Sequence, residues 1–174
     1  MSDLFLHGIQ NVTVDDGARP ITTVRSSTIG LIGSAPKADP LLFPLNQPVL
    51  IAGSRTLAAK LGETGTLPQA LDSIFDQIGA VVIVVRIDEE ETAPATLANV
   101  IGGVDANTGT YEGVHAFLAS ENITGFVPKI LIAPGFTHTR TEAVGETPAT
   151  SNPVVAELIG IAERLKAVIV ADGP

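Results

Sequence analysis

The stretch "AVVIVVRI", residues 80–87, limits what this chain can become more than any other. A strand apolar on alternate residues can leave one face in water, but this one is apolar on both and must be covered on both. Three further segments share that character: "STIGLIGSA" (27–35), "KILIAPG" (129–135) and "AVIVADG" (167–173). A shorter one is "PVLIAG" (48–53). Their two-sided apolarity predicts that 27–35, 80–87, 129–135 and 167–173 are neighbours in one mainly parallel sheet with helices on its faces.

The intervening segments supply the helices. In "TGTLPQALDSIFDQIGA", Thr66 and Gln69 have capping-box spacing, and Pro68 is tolerated in a first turn. Leu67, Leu71, Ile74, Phe75 and Ile78 form one apolar stripe, and Gly79 ends it. In "NPVVAELIGIAERLKA", Asn152 is placed to cap, Pro153 fits the first helical position, and Val154, Leu158, Ile161 and Leu165 recur at helical spacing. "SRTLAAKLG" (54–62), closed by Gly62 and Gly65, and "TYEGVHAFLAS" (110–120) read as shorter helices. Strands alternating with helices define an α/β fold class, a mainly parallel sheet flanked by helices, over residues 23–174. Residues 1–22 fall outside this pattern as an extended N-terminal arm, and 136–151, polar and Thr-rich, read as a solvated loop that contains His138, Arg140 and Glu142.

Composition removes several function classes. At 174 residues the chain is long enough to bury a core without staples. The longest apolar or glycine run, Ile78 to Val85, falls far short of the roughly 20 residues a membrane helix needs, so membrane insertion is not expected. Asp3 stands where a signal peptide needs positive charge, and no apolar h-region follows, so the expectation is a chain made and kept in a cytoplasm. Net charge is −9, and ten Lys and Arg lie scattered without a basic stripe, so nucleic acid is not an expected partner. The absence of cysteine excludes thiol catalysis and thiolate metal sites.

Catalytic and cofactor signals are weak. Gly30-Leu31-Ile32-Gly33-Ser34-Ala35 is neither a dinucleotide fingerprint nor a P-loop, and its glycines are better read as relieving crowding. No Gly-x-Ser-x-Gly offers a serine nucleophile. His138 follows a strand but reads as a solvated loop residue, and His115 flanks the stripe of the helix over 110–120. The run Asp88-Glu89-Glu90-Glu91 reads as a solvated turn rather than a calcium loop. No catalytic residue, metal ligand or cofactor is assigned. The rival to a non-enzymatic reading is a small α/β enzyme or nucleotide-binding module that uses the loops after residues 33 and 135.

In order along the chain, "DDGARPITTVRSSTIGLIGSAPKADP", "FPLNQPVLIAGSRTLAAKLGETGTLPQALDSIFDQIGAVVIVVRI", "ANVIGGVD" with "TGTYEGVHAF", "PKILIAPGF" and "AELIGIAERLKAVIVADGP" resemble the short, Myoviridae-type tail sheath proteins of contractile phages and the related R-type pyocins. The resemblance runs from about residue 8 to 174. It implies a non-enzymatic subunit that polymerises around a tail tube, with other sheath subunits, the tube protein, baseplate and tail terminator as partners. It also implies a place in the virion tail, with assembly in the host cytoplasm; a sheath of a bacterial toxin-delivery machine would share the mechanism. Family members continue well beyond the strand matching "AVIVADGP", which implies that this chain is the N-terminal part of a longer subunit. Within it, Ile9, Val12 and Val14 alternate among polar residues, a pattern too weak to build a core but suited to adding a strand to another subunit's sheet edge.

Overall fold

The apolar runs become strands, and the strands are ordered by a computed structural model that describes residues 27–140 and 151–172. The elements are β1 (Ile29–Ser34), β2 (Pro48–Ala52), α1 (Arg55–Ala58), α2 (Thr66–Gln77), β3 (Val81–Ile87), α3 (Ala93–Ile101), β4 (Gly103–Val104), β5 (Tyr111–Glu112), α4 (Ser120–Thr124), β6 (Ile130–Ile132), α5 (Pro153–Leu165) and β7 (Val168–Val170). Short 3₁₀ turns follow α1 (Ala59–Leu61) and β5 (Gly113–Ala119). The expected arm, including Ile9, Val12 and Val14, lies outside the described residues.

The main sheet has the order β2-β3-β1-β6-β7. β1 runs parallel to both β3 and β6, and β6 runs parallel to β7. The four expected strands are therefore consecutive in one sheet. β2 joins antiparallel at the β3 edge, so the sheet is mixed with a parallel body. Alternation along β1 and β3 divides their side chains between two cores. Leu31, Val82 and Val84 pack with Leu67, Leu71 and Phe75 of α2, and with Phe43, Ile51 and Leu61. Ile32, Val85 and Ile87 face the opposite way, against Val100 of α3, Phe117, and Val154, Leu158 and Ile161 of α5. This is the two-sided cover that the composition of β3 demands.

Several details differ from the sequence reading. Thr66 does not cap α2: Gly65 holds the N-cap position, and Thr66 is already helical. Its hydroxyl instead accepts from the Ser34 N–H at 3.1 Å, while the Ser34 hydroxyl accepts from the Thr66 N–H at 3.4 Å. A partner across the fold replaces the local one, and it ties the end of β1 to the start of α2. Ile78, assigned to the apolar stripe, is past the helix end in extended backbone and is 68% exposed.

The segment 110–120 is not one helix but β5 followed by a 3₁₀ turn. Gly113 stands at the junction with φ of +57°, and a Cβ there would lie 2.4 Å from the Val100 carbonyl oxygen, so the chain must turn on a glycine. α3 forms over a segment that the sequence reading left without an assigned helix, although Thr92 stands at its N-cap and Pro94 in its first turn. β7, expected to be covered on both faces, is an edge strand among the described residues, with Val168 and Val170 exposed.

Candidate functional site

Parallel strands carry their connections away from their carboxyl ends, and a cleft opens where adjacent connections leave to opposite faces. Here the chain leaves β1 for the α2 face, whereas it leaves β3 and β6 for the face of α3 and α5. The resulting cleft has a volume of about 650 Å³ and is lined by Ser34, Thr66, Glu89, Glu90, Glu91, Leu97, Phe136 and His138 among others. Both loops of the rival enzyme reading, after residues 33 and 135, open into it.

The walls are built from backbone and hydroxyl contacts. Gly33 packs against α2 so closely that a Cβ would fall 2.3 Å from the Thr66 hydroxyl, and a Cβ on Gly30 would meet Pro128, Leu131 and Phe117 at 2.9 to 3.0 Å. Both glycines relieve crowding, as the sequence reading holds. The acidic run is held largely through its backbone, with one further bond from the Asn99 amide to the Glu90 carboxylate at 3.5 Å. The Glu90 N–H donates to the Thr96 hydroxyl at 3.0 Å, that hydroxyl donates to the Thr92 carbonyl at 3.2 Å, and the Asn99 amide donates to the Asp88 carbonyl at 3.3 Å. The carboxylates of Glu89 and Glu91 are left exposed at the rim, as a solvated turn requires.

The segment expected to be a solvated loop begins as structure. Thr137 is buried, and its hydroxyl accepts from the Asp172 N–H at 2.9 Å. Asn152 caps α5 as expected, accepting from the N–H groups of Val154 and Val155 at 2.9 and 3.2 Å. Its amide also donates to the Phe136 and Thr139 carbonyls, both at 2.9 Å. One side chain thus starts the helix and anchors the loop entering it, which explains its burial. His138 and Arg140 are exposed; Glu142 lies outside the described residues.

Neither described histidine stands in a catalytic arrangement. His115 Nε2 lies 2.9 Å from a Glu157 carboxylate oxygen and joins the 3₁₀ turn to α5. The sequence reading put His115 beside a helical stripe and missed this partner, since 42 residues separate the two in the chain. Among the described residues no group of three His, Cys, Asp or Glu side chains is arranged to hold a metal ion. No helix among them is long and apolar enough to cross a membrane. Asp105, in the turn between β4 and β5, has its carboxyl held below the usual value by hydrogen bonds from the Asn107 N–H and the Thr108 hydroxyl.

Comparison with known proteins agrees with this geometry. Residues 26–87, covering β1 to β3, match the family model "Tail sheath protein Gp18 domain III N-terminal region". The chain is 43% identical over 141 residues to the tail sheath protein of Escherichia phage P2, covering 78% of this chain and 35% of that one. It is 35% identical over 170 residues to the major tail sheath protein of Serratia phage KSP20, covering 96% of this chain and 40% of that one. A putative prophage major tail sheath protein of Pseudomonas aeruginosa is 35% identical over 171 residues, 98% of this chain and 41% of that one. The chain thus spans well under half the length of these relatives. With five quoted segments in family order and this similarity along nearly the whole sequence, the chain belongs to the tail sheath proteins of contractile phages.

Proposed function

We propose that the protein is a structural, non-enzymatic subunit of a contractile tail sheath, which polymerises helically around a tail tube and shortens to drive that tube through a cell envelope. The observation that carries this reading is similarity to sheath proteins over 98% of the chain. Its partners are other copies of itself, the tube protein, the baseplate and the tail terminator. Its place is the virion tail, after assembly in the host cytoplasm. Residues 1–22 act as an arm, and Ile9, Val12 and Val14 add a strand to a neighbouring subunit's sheet edge. Twenty extended residues reach about 70 Å at most, enough to cross to a neighbour.

Electron microscopy of the protein expressed from its whole gene tests the function: tubes or stacked rings are expected, and monodisperse monomers under all conditions would overturn it. Deleting residues 1–14 tests the arm. The deletion should spare the melting temperature and abolish the tubes; loss of the fold would assign the segment to the core instead.

A further inference from the structure

We propose that the cleft beyond the carboxyl ends of β1, β3 and β6 receives the basic end of α5 and β7 from a second copy of the chain, joining copies head to tail along the strand direction. This rests on the sheath reading and specifies a contact that the reading leaves open.

Parallel strands share a direction, so the two ends of the sheet differ chemically. At the carboxyl end, Asp88, Glu89, Glu90 and Glu91 are consecutive and exposed, and none is ion-paired among the described residues. Lys37, Lys60 and Arg140 also lie toward this end without pairing to the run. The hydrogen bonds to Thr96 and Asn99 hold the acidic run over an apolar floor made by Ala93, Pro94, Leu97 and Phe136.

The amino end of β6 and β7 carries the complement. Lys129 precedes β6 and donates its ammonium to the Leu165 carbonyl at the end of α5; Arg164 and Lys166 are exposed beside it, with Glu163 adjacent. Exposed apolar groups accompany these cations: Val168 is 66% and Ile159 49% exposed. Each end thus combines charge with apolar surface, of opposite sign at the two ends. That pairing sets register and orientation through charge while the apolar groups leave water. Such a contact uses two different patches, so it is heterologous. Unless its rotation closes a ring, it propagates as an open stack, the symmetry a helical sheath requires.

The test is charge exchange in the full chain, using two variants, E89K/E90K/E91K and R164E/K166E. Sedimentation velocity over a concentration series at low salt should show wild-type self-association that weakens at high salt. Each variant alone places like charges at the contact, and its association should weaken by about tenfold or more. Mixing the two variants restores opposite charges at every contact, so the mixture should associate again. That recovery also excludes misfolding as the cause of the loss. Wild type that stays monomeric, variants that associate like wild type, or a mixture that fails to recover would each overturn the proposal. Tubes formed by the whole-gene product of both variants would overturn this contact while leaving the sheath function intact.

Discussion

β3 and β7 are written in nearly the same alphabet, "VVIVVRI" against "VIV", yet they occupy opposite situations. Val82, Ile83, Val84 and Val85 are 0% exposed, with a paired strand on each edge and a core on each face. Val168 and Val170 are 66% and 52% exposed, with β6 on one edge among the described residues. An apolar run states that a strand needs cover. It does not state which element supplies it. For β3 the cover is within the described fold; for β7 no described residue covers the outer edge or the face of Val168 and Val170.

The comparison breaks most readily at its buried member. Ile83→Ala should lower unfolding free energy by about 2 to 5 kcal/mol, whereas Val168→Thr should stay within about 0.5 kcal/mol in the free chain. Urea denaturation of both variants measures the contrast, and comparable losses would mean that β7 is covered as β3 is.

The junction that holds the buried half together should be next in size. Gly65 has φ of +102°, and a Cβ there would lie 2.3 Å from the Ser34 carbonyl oxygen. Gly65→Ala should therefore destabilise by about 1 to 3 kcal/mol, while Gly79→Ala, where a Cβ meets nothing within 4 Å, should not. Matched thermal melts decide it.

On the β7 side the main local fastening is Asn152, which starts α5 just before that strand. Asn152→Ala should cost about 1 to 2 kcal/mol, through loss of the cap and of the donors to the Phe136 and Thr139 carbonyls. Hydrogen exchange should show α5 and β7 losing protection before β1 and β3. Equal loss in all four would join the halves into one cooperative unit.

The smallest effect belongs to another peripheral element, the β4–β5 hairpin. The Asp105 carboxyl is lowered in the folded state, so its contribution is present above its ordinary value of 3.8 and is lost as pH falls from there through the folded value. Asp105→Asn should remove that slope from acid unfolding curves, leaving the variant slightly less stable than wild type at neutral pH and level with it in acid. A raised rather than lowered carboxyl titration by NMR would reverse the sign.

Much of the fold was legible because its signals are short-range. The strand runs, the α5 cap at Asn152 and the stripe of Leu67, Leu71, Ile74 and Phe75 depend on composition and period. α3 was missed although Thr92 stands at its N-cap and Pro94 in its first turn, because the polar Thr96 takes a buried place on its inner face where an apolar stripe would be read. The α2 cap was misread because Thr66 finds Ser34, 32 residues away, instead of its own first turn. For the candidate site, the acidic run was visible in the sequence as a turn. Its position over an apolar floor was not, since Phe136 and Leu97 reach it from different connections.

The sequence by itself determined the class of fold, the family, and the need of each strand for cover, because apolar periodicity and segment order are properties of the chain. Tertiary structure decided the strand order β2-β3-β1-β6-β7, the antiparallel entry of β2, and which apolar strand is left at the edge. It also decided that Thr66 serves β1 rather than its own helix, and that His115 meets Glu157. Those outcomes are set by contacts between residues tens of positions apart, and a local pattern carries no information about which distant group will arrive to meet it.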